Sequence, residues 1–173
     1  MNANASVANL ENDRNIMPLP RTELDSHANI VVMGNHSFSF HEVNNRICEV
    51  THFNLSIGTA KHVPIVGPVV AYNCQYSHKT CILVFKNALY ITILDYNLIP
   101  LFILNEAGLV CNEKPKIHCD NLSHNDHCIF HKEAGLHIPL QLNGIFSFFH
   151  SWKPTSKELN TCNKVFLTPD SSN

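Results

Sequence analysis

Charge is the scarcest property of this chain. Only 15% of its 173 residues are Asp, Glu, Lys or Arg, and the net charge is -2. A sequence this poor in charge and 45% hydrophobic is not one that stays unfolded through self-repulsion. Near-neutrality also removes the basic surface that nucleic acid or an anionic membrane would need, so neither is expected as a direct partner. No apolar run reaches the roughly 18–20 residues of a membrane-spanning helix. The first residues, Met1 to Arg14, lack the basic start and apolar stretch of a secretory signal. The expected setting is therefore intracellular and cytoplasmic. Seven cysteines, an odd number, then read as reduced thiols, several of them buried as small hydrophobes. Four Asn-x-Ser sequons (Asn4, Asn35, Asn54, Asn121) would matter only in a secreted protein. No Cys-x-x-Cys pair occurs, and no Gly-rich phosphate loop.

What is present is one chemically pointed stretch, Asp25-Ser26-His27-Ala28-Asn29, set between Glu23-Leu24 and the apolar run Ile30 to Met33. A carboxylate followed by a hydroxyl and small residues between two strands is the arrangement of an aspartic protease loop. That chemistry needs two carboxylates close enough to share one proton: one stays protonated as acid while the other activates water. The chain offers one such loop. Asp170-Ser171-Ser172 has no apolar flanks. A dyad therefore requires a second copy, most simply about a two-fold axis. The chemistry calls for no cofactor. The competing reading of the same residues is an ordinary surface turn, since Asp and Ser favour turns.

The rest of the chain reads as short strands with turn punctuation. Residues 1–17 are polar and Asn-rich, a disordered leader, and Pro18 and Pro20 stiffen the entry. Ile47 to Phe53 reads as a strand. His62 to Tyr72 is apolar and β-branched but carries Pro64, Gly67 and Pro68, which confine it to an edge, a bulge or a mobile hairpin. Cys81 to Phe85 and Leu89 to Leu94 read as strands split by Lys86-Asn87. Cys74 and Cys81 flank a hairpin tip around Tyr76 to Lys79. From Asn97 to Gly108 the period fits a short helix, with Pro100 in its first turn and Gly108 as its stop. Leu136 to Leu142 alternates, putting Ile138, Leu140 and Leu142 on one face. Asn143-Gly144 is a hairpin signal, Ile145 to Phe149 the return strand, and Phe146, Phe148, Phe149 and Trp152 core and flank aromatics. Thr155-Ser156-Lys157-Glu158 is a capping box that starts a second helix. The fold class is mainly β with two short helices, and the segment from 113 to 173 extends the domain built by residues 18–112.

Between His118 and His131 lies a Cys/His cluster: His118, Cys119, His124, His127, Cys128 and His131. Its spacing matches no finger or knuckle, so a polar loop with incidental histidines stands beside a weaker zinc-binding reading.

A wider set of short blocks resembles one family. Asn87-Ala88-Leu89-Tyr90, Asp95-Tyr96-Asn97-Leu98-Ile99-Pro100, Glu106-Ala107-Gly108-Leu109, Pro115-Lys116-Ile117-His118, Ile138-Pro139-Leu140, Gly144-Ile145-Phe146-Ser147 and Leu167-Thr168-Pro169-Asp170, in that order, are similar to the protease region of copia-type retrotransposon Pol polyproteins. One branch of that group carries Asp-Ser-His-Ala at the catalytic loop. The resemblance runs from about Pro18 to Asp170. It implies a retropepsin-like closed small β-barrel, homodimeric, that cuts Gag-Pol type polyproteins. It implies Asp25 as the catalytic carboxylate of each subunit, Ser26 as the hydroxyl that braces the loop, and Ala28 as the small residue against the partner loop. It makes Val63, Pro64, Ile65, Val66 and Gly67 the candidate substrate-covering flap, and Ala88 to Leu98 the counterpart of the strands that thread beneath the catalytic loop. Two positions depart from the pattern. His27 puts an imidazole where glycine is expected, and Asn29 replaces a common Asp, Ser or Thr. They motivate the alternative of a catalytically inactive relic or interaction domain with the same β fold.

Overall fold

The computed structural model describes residues 19–51, 59–75, 77–120 and 123–169, with side chains omitted for 40–45, 51 and 59–61. The polar leader, and the residues between the two longest strands, lie outside this set. The described chain is mainly β, about half strand, with two short α-helices. No helix among the described residues is long and apolar enough to cross a membrane.

The alternation Arg21-Thr22-Glu23-Leu24-Asp25 forms β1 (Arg21–Asp25). After the Asp25 loop comes β2 (Val32–Met33). A long antiparallel pair follows, β3 (Phe38–Thr51) and β4 (Thr59–Cys74), then β5 (Lys79–Val84) and β6 (Ala88–Tyr90). β7 (Tyr96–Pro100) leads directly into α1 (Leu101–Glu106). After β8 (Val110–Asn112), β9 (Cys128–His131) and β10 (Leu136–Pro139), the chain makes the hairpin β11 (Gln141–Asn143) and β12 (Phe146–His150). It ends in α2 (Ser156–Thr161) and β13 (Asn163–Phe166).

The larger sheet runs β11-β12-β1-β7-β2-β6-β4-β5-β13, with β3 on the other side of β4. It curls into half a barrel and does not close. Closure requires the end strands to meet in register. Here β11 and β13, three and four residues long, remain at opposite edges. β8, β9 and β10 form a second sheet, whose Ile129, Leu136 and Ile138 share one buried cluster with Val70, Leu83 and Phe149 of the first. On the opposite face, Val69, Ala71 and Ile82 are covered by Trp152 and by Leu159 of α2. The later segment is thus sewn into the same sheet, β12 against β1 and β13 against β5.

Several expectations shift. Asn97 to Ile99 is strand, not helix; α1 starts only after Pro100, which takes the N-cap position, and Gly108 (φ +81°) follows its end. The strand wins because Asn97 and Ile99 are fully buried between neighbours on both sides, a tertiary gain that outweighs local period. β6 stops at Tyr90, short of Leu94. Leu142 is not on the buried face of Ile138 and Leu140: the chain changes sheets between β10 and β11 and leaves it exposed. Of the options that its prolines allow, β4 is a bulged hairpin arm inside the sheet, not an edge. Pro68 falls between the stretch paired with β6 (Ile65, Val66) and the stretch paired with β5 (Val69 to Cys74), where no ladder donor is required. The capping box is present as read: the Thr155 hydroxyl accepts from the Glu158 amide, and the Glu158 carboxylate accepts from Thr155.

Candidate functional site

Asp25 is the last residue of β1. Its strand runs parallel to β7, with Asp25 opposite Pro100. β7 in turn runs antiparallel to β2, so that Leu98 is the partner of both Glu23 and Val32. β7 is therefore threaded between the two strands that flank the Asp25 loop, and the loop arches over the end of β7 where α1 begins. β6 pairs with β2 on the far side, outside the pair of strands that flank the loop, so of Ala88 to Leu98 only the β7 part is threaded between them.

A buried polar chain locks this crossing. The Gly34 amide donates to Asn97 Oδ1 (2.9 Å), Asn97 Nδ2 donates to Thr22 Oγ1 (3.1 Å), and the Thr22 and Ser151 hydroxyls lie 2.7 Å apart. Asn97 and Thr22 are wholly buried. Gly34 has no room for a side chain: a Cβ would stand 2.4 Å from the Leu94 carbonyl oxygen and 2.5 Å from that of Tyr96. The loop before it is thus fixed from below by four positions, none of which the motif itself contains.

Asp25 keeps 30% of its side chain exposed. Its Oδ1 accepts the His27 amide at 2.8 Å, a local turn that holds the carboxylate over its own loop. Ser26 Oγ lies 3.2 Å from His27 Nδ1. The His27 ring is 95% exposed, with Nδ1 3.9 Å from Asp25 Oδ1, so it projects to solvent beside the carboxylate and does not pack beneath it. Ala28 is half-buried. On the same side of β1, Glu23 is buried and paired with Arg21 (2.6 Å), whose guanidinium lies over Tyr96 and Phe148.

Two clefts meet at Asp25. One, of about 450 Å³, is lined by Arg21, Glu23, Asp25, Tyr96 and Phe146. The other, of about 350 Å³, takes in Asp25, Ser26, His27, Glu113, Ile145 and Ser147. Burial pushes the Glu113 carboxyl above its usual range. Ser147 carries the cleft inward to His127: its Oγ lies 2.9 Å from Nε2 of a buried ring that burial, and then Lys116, hold below the ordinary imidazole pKa. Glu113 and Ser147 have no local signature; Ser147 reaches the Asp25 cleft because β12 pairs with β1, and His127 stands behind it.

No protein-family model matches the chain, and no curated protein or solved structure is significantly similar to it.

The candidate flap residues Val63 to Gly67 lie on β4 where β6 joins it at Ile65 and Val66; Val63 and Val66 are buried. They form the sheet-side base of the β3–β4 pair, while residues 52–58, between the strands, lie outside the described set. The Cys/His stretch is dispersed. His118 is exposed in a 3-10 turn, Cys119 Sγ faces the Pro115 carbonyl, Cys128 Sγ the Asn125 carbonyl, and the His124 carbonyl accepts from His137. Among the described residues no three His, Cys, Asp or Glu side chains stand together as metal ligands. All seven cysteines are free thiols, and burial pushes Cys81 and Cys111 up to about 12, away from nucleophilic use.

Proposed function

We propose that this chain is a retropepsin-like aspartic endopeptidase from a copia-type retrotransposon polyprotein, cutting Gag-Pol type polypeptides in the cytoplasm as a homodimer. The observation that carries the reading is the strand threaded through the Asp25 loop. It presents one carboxylate at the end of a sheet, on a loop too well anchored from below to be a casual turn. One carboxylate cannot do the chemistry. Two copies facing across a two-fold axis would set Asp25 beside its twin, and like charges at that distance leave the pair sharing one proton. The ionised member takes a proton from water as the water attacks the scissile carbonyl. The protonated member hydrogen-bonds the carbonyl oxygen, and the pair titrates as a unit. Ser26 braces the loop, Ala28 is small enough to let the partner loop approach, and the β3–β4 pair is the candidate cover over substrate.

The second reading, a catalytically silent interaction domain of a mobile element, is favoured by His27. Its ring lies 3.9 Å from Asp25, at the position where the family pattern has a glycine. One comparison separates the two. At mildly acidic pH the purified chain cleaves a peptide library and is blocked by a statine-type inhibitor, and Asp25→Asn loses both while remaining folded. Equal behaviour of the wild type and Asp25→Asn would dismiss the peptidase.

A further inference from the structure

We infer that the turn of the β11–β12 hairpin, with Leu142, Ile145 and Phe146, is the surface on which a second copy of this chain docks, end-on to the sheet. The inference rests on the peptidase reading, which requires that copy.

The register of β12 on β1 pairs Phe148 with Glu23, and its continuation sets Phe146 beside Asp25. Both residues line the same two clefts. The turn therefore projects past the end of β1, level with the carboxylate that needs a partner. It is apolar and open: Ile145 is 89% exposed, Phe146 46% and Leu142 41%. Exposed large apolar side chains gathered at one place mark an interaction surface. From Gln141 to Ser147 the hairpin carries no charge at all. A self-complementary contact about a two-fold axis is compatible with this, because no like charge close to the axis meets its own image.

Distance decides how the copies meet. Pairing β11 edge to edge with its twin would leave the two β1 strands five strand spacings apart, about 24 Å. A dyad needs its carboxyl groups at roughly 3 Å. Only an end-on contact through the turn and the Asp25 loop brings the two acids together, so the β11 edge is left free.

Sedimentation velocity and peptide cleavage, run on the same preparations, test this. Ile145→Asp, a solvent-facing change, should weaken dimerisation roughly 100-fold, since the axis counts the substitution twice. Cleavage should fall with it and return as protein concentration is raised. Leu142→Glu should behave likewise, and Gln141→Lys, on the edge strand, should leave the dimer unchanged. An unaltered dimer in Ile145→Asp, dissociation by Gln141→Lys, a raised KM with the dimer intact, or a wild type that is monomeric at all concentrations would overturn the assignment. In each case the Asp25→Asn comparison judges the peptidase separately: a wild type that cleaves while Asp25→Asn does not keeps that reading and moves the interface elsewhere.

Discussion

Asn97→Leu is the sharpest perturbation the structure offers. The substitution keeps the number and branching of the side-chain heavy atoms at a fully buried position and removes two hydrogen bonds, the one accepted from the Gly34 amide and the one donated to Thr22. A buried amide left without its acceptor costs roughly 1–3 kcal/mol, and loss of the Thr22 bond about 1 kcal/mol, because that hydroxyl keeps Ser151. The added apolar surface of Leu offsets about 1 kcal/mol. The net is about 1–3 kcal/mol. With a urea m-value of about 2 kcal/mol/M, the unfolding midpoint should fall by about 0.5–1.5 M.

A double-mutant cycle sharpens the test. Thr22→Val alone strands Asn97 Nδ2, but in the Asn97→Leu background that group is already gone. The double variant should therefore cost about 1 kcal/mol less than the sum of the singles. A midpoint shift under about 0.3 M for Asn97→Leu, or strict additivity in the cycle, would refute the claim that this buried chain holds the crossing beneath Asp25.

Three further outcomes follow from local geometry. Gly34→Ala forces a methyl into two backbone carbonyls that cannot swing aside, and should cost about 3 kcal/mol or prevent folding, read from soluble yield and thermal midpoint. Glu158, whose carboxyl is held below its usual range first by the Thr155 amide, contributes cap stability that is complete above its unfolded pKa and is lost as pH falls through its folded one. Glu158→Gln should therefore be less stable than wild type near neutrality, by under about 1 kcal/mol, and converge with it in acid; a pH-independent gap would contradict this. His127, with its folded pKa lowered by burial, binds fewer protons folded than unfolded once pH drops below about 6.5, so acidification costs stability there. His127→Asn, which tolerates the same positive φ, should flatten that part of the stability–pH curve, and an unchanged curve would acquit His127.

How much of this could be read from the sequence depends on how far apart the cooperating residues lie. Thr155 and Glu158 are three positions apart, and their capping box was legible because the chemistry is local. The hairpin after Leu142 was legible too, but one residue out: Asn143 pairs with Phe146, so Gly144 and Ile145 form the turn and the apolar Ile145 is the residue exposed. β7 was misread as helix because Leu98, Leu101 and Phe102 do fall on one helical face, while the pull of β1 and β2 on Asn97 and Leu98 comes from strands more than sixty residues earlier. The same distance hid the lock itself. Thr22 and Asn97 are 75 positions apart, Thr22 and Ser151 129, and nothing in either neighbourhood announces the other.

The Cys/His stretch fails in the opposite sense. Six soft or titratable residues crowd fourteen positions of sequence, yet the fold spends them on separate tasks, His127 on Ser147, Cys119 and Cys128 on nearby carbonyls. Proximity along the chain therefore overstated one site and understated another. Asp25 stood out in the sequence for its neighbours Ser26 and Ala28. What sets it apart from a free turn is a strand inserted between its flanks, an asparagine far downstream, and an apolar hairpin tip that reaches it through the pairing of β12 with β1. Substitutions at Asn97 and Ile145 should impair the proposed cleavage without touching the motif.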